Sequence, residues 1–284
     1  MAGLLSISIP AAADDKIKVV ASFSILGDMV RQVTGNLAEV TTIVGPDADA
    51  HVYTPNAADA KSVANADVIF VNGLGFETWS QTLIETSSSK AKVFVATDGI
   101  TPLKVDGEID PHAWNSLVNG MQYVDNIAVS MAEINPINAV AYKANARAYN
   151  RRLKDLNNRA IDQLERLTTG QRIVVTSHDA FGYLATAYGL TFLAPVGIDT
   201  DGEPSARDLS KLIDHLKAVS AGALFTENIT SPSLIEQIAR ETGIKIGGRL
   251  YSDALSTRGG PATTYEKLIE HNLRVLIKAL SSRS

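Results

Sequence analysis

Three of the chain's five histidines fall just past predicted β-strands: His51 in DADAHVYTPN, His112 in DPHAW and His178 in TSHDAF. Asp253, in YSDALS, occupies the same kind of position. Imidazole is a borderline donor and carboxylate a hard one. Three such nitrogens with one carboxylate oxygen suit tetrahedral zinc, and manganese accepts the same set with a further carboxylate oxygen. The chemistry open to these four residues is therefore the holding of a divalent transition metal. The chain has no cysteine, which removes thiolate ligands, disulfides and cysteine nucleophiles together and confines any metal site to nitrogen and oxygen. His215 in KLIDHLKAV and His271 in YEKLIEHNLRVL lie inside helical patterns and receive no role.

The stretch GPDADAHVYTPN shows how a loop could deliver such a histidine. Gly45-Pro46 ends a strand and Pro55 stiffens the exit, so little flexible chain has to be ordered on binding. Asp47 and Asp49 are candidates to accept the second ring N–H of His51, and Glu227 in FTEN is a candidate to line the cleft or support a ligand. No catalytic residue is assigned. A zinc hydrolase using Asp179 or Glu227 as general base is a distant alternative, because the chain carries no HExxH pair. A nucleotide site is excluded: VNGLGFE lacks the third glycine of the dinucleotide fingerprint, and no phosphate loop ends in Gly-Lys-Ser/Thr.

Two blocks of strand-helix alternation must position these side chains. The first holds KIKVVAS at 16–22, VTTIVG at 40–45, DVIFVNG at 67–73 and KVFVATDG at 92–99; the second holds RIVVTSHD at 172–179, TFLAPVG at 191–197, GALFTENI at 222–229 and IKIGGRLY at 244–251. Their near-continuous hydrophobicity suits strands of parallel sheets buried on both faces. Between the blocks runs a helix from about Ala139 to Leu167, with Tyr142, Ala146, Tyr149, Leu153, Leu156, Ala160, Leu164 and Leu167 on one stripe. The expected fold is α/β: two parallel-sheet lobes, 14–135 and 170–284, joined by one long rigid linker helix at 136–169. Ligands of open α/β sheets bind beyond the carboxyl ends of the strands, which is where His51, His112, His178 and Asp253 lie.

Composition narrows the partners. With net charge −5 and a pI near 5.6, and with basic residues scattered along the chain, there is no footprint for nucleic acid. No segment reaches the ~20 apolar residues of a membrane span. MAGLLSISIPAAADD reads as the end of a secretory signal, so residues 1–13 are expected to be a signal-peptide remnant.

DADAHVYTPN, VNGLGFETW, DPHAW, TSHDAFGYLATAYGL, EPSARDL, FTENITSP and GGRLYSDALS follow one another in an order that resembles the zinc- and manganese-binding solute receptors of bacterial ABC importers, the cluster A-I periplasmic metal-binding proteins. The likeness runs from Lys16 to the last helix. It implies a metal site in the cleft between the lobes with His51, His112, His178 and Asp253 as ligands. It also implies capture of the metal in the periplasm by a monomer, and delivery to permease subunits driven by a cytoplasmic ATPase; the lack of a lipid-bearing cysteine departs from Gram-positive members, so the protein is expected to be free in the periplasm without a lipid anchor. His178 stands where manganese-preferring members usually carry glutamate, which points to Zn2+, with Mn2+ (or iron) as the alternative. Many zinc receptors carry a histidine-rich loop before the second ligand, whereas GITPLKVDGEIDPH is short and has none. Release is expected to involve movement of a ligand loop, with the Asp253 loop the first choice.

Overall fold

The computed structural model describes residues 16–219 and 222–281; the expected signal remnant at 1–13 lies outside the described residues. In chain order the first half contains β1 (Ile17–Phe23), α1 (Ser24–Thr34), β2 (Ala38–Val44), α2 (Ala57–Ala64), β3 (Val68–Val71), α3 (Ser80–Thr86) and β4 (Lys92–Val95). A small antiparallel hairpin, β5 (Lys104–Val105) with β6 (Glu108–Ile109), follows. It turns at Asp106-Gly107, both at positive φ, as a tight two-residue hairpin turn requires. α4 (Leu117–Ile134) and α5 (Ala139–Leu164) come next. The second half contains β7 (Ile173–Val175), α6 (Gly182–Tyr188), β8 (Thr191–Leu193), α7 (Ala206–Val219), β9 (Ala223–Glu227), α8 (Ser233–Thr242), β10 (Ile246–Leu250) and α9 (Tyr265–Ser281).

Each half builds a four-stranded parallel sheet, ordered β2-β1-β3-β4 and β10-β9-β7-β8. Counted from its own first strand, the second sheet has the order of the first: strand two beside one, then three, then four. The halves thus share a topology that their residues do not reveal as a repeat. In each, the connections leave the first strand in opposite directions, and the loops beyond the strands' carboxyl ends open a crevice at that switch point.

The expectation of strands buried on both faces holds for β1 beyond its first turn and for all of β3, the central strands of their sheet. It does not hold at the edges. β4 leaves Lys92 and Val93 exposed, and the Lys92 ammonium sits over the Phe94 ring at 5.0 Å. An edge strand has one free flank, so its apolar side chains lose their neighbours on that side.

α5 turns the stripe Tyr142, Ala146, Tyr149, Leu153, Leu156, Ala160 and Leu164 inward, and Leu167, just past the helix, is buried too. One continuous core includes this stripe together with residues of both sheets, such as Val19, Phe70, Val174 and Phe225. Hydrogen bonds stitch the halves along it. Asp28 of α1 accepts from the Tyr265 main-chain N–H at 2.8 Å, the start of α9, and the Tyr265 hydroxyl donates to the Trp114 carbonyl at 2.6 Å. Gly120 of α4 leaves the space that ring needs, since a Cβ there would stand 2.2 Å from the Tyr265 hydroxyl oxygen. Any large swing of one half against the other has to break this shared core.

Candidate metal centre

Each of the four expected residues arrives on a different loop. His51 follows β2, reached through Asp47 at φ +52. His112 follows the β5–β6 hairpin and opens a short 3-10 turn, Ala113–Asn115. His178 follows β7 and bridges to Val196 beyond β8, and Asp253 follows β10. The structure brings them together: one donor atom from each lies within 4.8 Å of all the others. His51 Nε2 is 3.2 Å from His112 Nε2 and 3.3 Å from Asp253 Oδ2, and His178 Nε2 is 3.1 Å from that same oxygen. A tetrahedron with ~2.0–2.1 Å bonds has edges of about 3.3 Å, so these donors already stand near the spacing one cation demands. The other carboxylate oxygen, Asp253 Oδ1, is buried without a hydrogen-bond partner, 3.7 Å from His112 Nε2. His215 is exposed on α7, and His271 contacts the Arg249 carbonyl and Arg274, so neither joins the group.

The far nitrogen of every imidazole meets a carboxylate. His112 Nδ1 is 2.8 Å from Asp110 Oδ1, which also accepts the His112 main-chain N–H at 2.9 Å. Gly182 makes room for that carboxylate, because a Cβ there would stand 2.6 Å from Asp110 Oδ2. His178 Nδ1 lies 2.7 Å from Glu227 Oε2, an oblique approach, while Glu227 Oε1 accepts from the main-chain N–H groups of Ser177 and His178. His51 Nδ1 faces Asp199 Oδ1 at 3.2 Å, also obliquely. Carboxylates in these places favour the proton on Nδ1 and leave the Nε2 lone pairs pointing inward, the state a metal requires.

Sequence reasoning placed Glu227 near the cleft but missed Asp110 and Asp199. Asp110 left a readable signal, since an acid two residues before a histidine can close a local turn onto its main chain. Asp199 left none: it reaches His51 from the other half, and nothing in GIDTDGEP separates it from Asp201 or Glu203. Asp47 and Asp49, the expected partners of the His51 ring, do different work. Asp49 Oδ1 accepts the His51 main-chain N–H at 2.9 Å, and Asp49 Oδ2 accepts from the Thr200 hydroxyl at 2.6 Å. Asp47 accepts from Asn228 at 3.0 Å and from the Thr257 main chain at 2.9 Å, fastening the loop that carries Asp253.

Phe76 walls the site, with its ring 4.7 Å from that of His51 and 6.0 Å from that of His112. Its turn runs through Gly73, Leu74 and Gly75, all at positive φ, and is held by buried Glu77, which accepts from Ser22 and from the Asn72 main chain. Low polarity on this side strengthens every charge interaction inside.

Those interactions set the protonation of the metal-free protein. Burial alone would lower the pKa of His178, but the facing carboxylates of Glu227 and Asp253 raise it well above the usual histidine value. His51 is likewise raised, Asp253 outweighing burial. Burial would raise the Asp253 carboxyl, yet the imidazoles of His112 and His178 hold it well below the usual carboxylate range. The two raised histidines stabilise the metal-free fold fully below about pH 6.5, and that contribution is lost as pH rises through their folded values. A cation must displace the same protons. The gain in melting temperature on adding metal therefore grows as pH is raised from 5.5 to 8, which differential scanning fluorimetry with and without zinc checks directly.

Comparison with known proteins identifies the family. Residues 19–279 match the family model described as ZnuA, zinc-uptake complex component A, periplasmic. The manganese-binding lipoprotein MntA of Halalkalibacterium halodurans is 35% identical over 266 residues, 93% of this chain and 89% of that protein. The iron-binding protein YfeA of Yersinia pestis is 34% identical over 276 residues, 95% of this chain and 88% of its own. Among solved structures, the Mn-bound periplasmic metal-binding protein of Candidatus Liberibacter asiaticus has a TM-score of 0.86 at 33% identity, covering 94% of this chain and 100% of that one. The periplasmic zinc-binding protein TroA of Treponema pallidum has a TM-score of 0.89 at 27% identity, covering 93% and 99%. The chain belongs to the ZnuA family of periplasmic metal-binding proteins, the solute-binding components of ABC metal importers and not enzymes.

Proposed function

We propose that His51, His112, His178 and Asp253 bind the cargo itself, one divalent transition metal captured outside the inner membrane and handed to the importer's permease and ATPase, with zinc preferred over manganese. The observation that carries this reading is the convergence of four donors near tetrahedral spacing, each imidazole turned inward by its own carboxylate. Four protein ligands close the coordination sphere and leave no position for an activated water, which suits storage and transport. Three nitrogens favour zinc. Manganese or iron is the second reading: unpartnered Asp253 Oδ1 offers a fifth, oxygen donor, and relatives named for manganese and iron lie at 34–35% identity.

Elemental analysis of the purified protein, followed by competition calorimetry between zinc and manganese, tests the choice. Wild type binds zinc more tightly; His178→Glu, which replaces an imidazole by a hard donor, moves the preference toward manganese by about tenfold or more. Tighter binding of manganese by wild type would count against zinc as cargo, and an unchanged preference in the variant would count against His178 as the residue that sets it. The proposed organisation is an N-terminal lobe at 14–135, a linker at 136–169 and a C-terminal lobe at 170–284, supported by the segregation of β1–β4 from β7–β10 into separate sheets. Function as a monomer free of any lipid anchor is part of the proposal; several relatives are named lipoproteins, and mass spectrometry of the mature N-terminus decides the point. Among the described residues no helix is long and apolar enough to cross a membrane.

A further inference from the structure

The loop bearing Asp253 is a poor candidate to move. Trp114 donates to the Ser252 carbonyl at 2.8 Å, and Asn272 bonds both main-chain groups of Tyr251. The Leu255 N–H reaches Ser24 at 2.9 Å while its carbonyl accepts from Asp47, and residues 251–256 are buried throughout. Residues 199–204 stand in contrast. They join buried Ile198 to Ser205, and among the described residues no main-chain hydrogen bond holds them. Two side-chain contacts do, and both reach into the other half: Asp199 to His51 Nδ1, and the Thr200 hydroxyl to Asp49. The His51 side chain is 3% exposed and that of Asp199 is 63% exposed, so the segment lies between the site and solvent. Beside it is a cavity of about 710 Å³ whose lining includes Asp49, His178, Thr200, Gly202 and Glu203, so the segment and one of the four donor residues border the same space.

We propose that residues 199–204 are the gate by which the cation enters and leaves, fastened by the Asp199–His51 and Thr200–Asp49 contacts, so that Asp199 and Thr200 set how long the metal stays. This rests on the reading of the four donors as the cargo site. Thr200 touches none of them, and its loss leaves the donor set intact while loosening the closed position by one hydrogen bond. Asp199 is a positioning residue that also steadies the His51 ring.

Zinc-loaded wild type, Thr200→Val, Thr200→Ser and Asp199→Ala are each mixed with excess chelator in a stopped-flow instrument, and capture of free zinc by the metal-free forms is followed separately. Thr200→Val speeds release about threefold or more, the scale of one net hydrogen bond, and speeds capture as well, so affinity changes less than the release rate. Thr200→Ser stays near wild type. Asp199→Ala releases about tenfold faster or more. Release within twofold of wild type in both Thr200→Val and Asp199→Ala overturns the gate, as does an affinity loss in Thr200→Val equal to its gain in release rate. Wild type that takes up no stoichiometric zinc or manganese overturns the site reading itself, and the gate with it; in the two former outcomes the loaded site stands.

Discussion

His178→Ala lowers metal affinity by about a hundred- to a thousandfold, while His215→Ala leaves it unchanged. The size follows from division: a four-ligand zinc site contributes about 10–16 kcal/mol at neutral pH, so one ligand accounts for roughly a quarter, about 2.5–4 kcal/mol. His178 is fully buried, with Nε2 3.1 Å from Asp253 Oδ2 and Nδ1 against Glu227. Its removal deletes a donor and leaves two buried carboxylates without the imidazole between them. His215 sits exposed on α7 and has none of these neighbours. Titration calorimetry on the two variants separates the outcomes, and equal effects would refute the placement of the site.

Glu227→Gln should be nearly as damaging although the residue touches no metal. Its Oε1 accepts two main-chain N–H groups, from Ser177 at 2.7 Å and His178 at 3.0 Å, which leaves Oε2 facing His178 Nδ1. An amide that keeps its oxygen on the two main-chain donors must turn its NH2 toward Nδ1. That nitrogen must then accept, the ring proton moves to Nε2, and the lone pair needed inside the site is gone. Metal affinity falls about 10- to 100-fold, the scale of outer-partner losses at metal-bound histidines. The same substitution removes one of the charges that raise the His178 pKa. Consequently, the melting temperature of the metal-free variant changes less than that of wild type between pH 6.5 and 8. A purely structural role for Glu227 would lower the melting temperature at all pH values and leave this slope alone.

Much of the architecture was legible because it rests on local periodicity. The α5 stripe repeats every three or four residues, and each step from Tyr142 to Leu164 is buried. The convergence of His51, His112, His178 and Asp253 was legible for a topological reason: in open α/β sheets ligands collect past the strand ends, and polar residues there stand out against apolar strands. What failed needed the third dimension. KVFV reads like any buried strand until its place at the sheet edge is known. Asp199 reaches His51 across 148 positions of chain, given by their numbers, and only the meeting of the two halves selects it over Asp49, a nearer acid already engaged by a main-chain N–H and Thr200. The common strand order of the two sheets was hidden too, since topology is preserved by packing patterns that many sequences satisfy.

The most direct test is diffraction from metal-loaded crystals with anomalous data on both sides of the zinc and manganese absorption edges. A single strong peak about 2.0–2.3 Å from His51 Nε2, His112 Nε2, a ring nitrogen of His178 and an Asp253 oxygen is the predicted result. A peak elsewhere, or none among those four side chains in protein that carries one metal per chain, would contradict it.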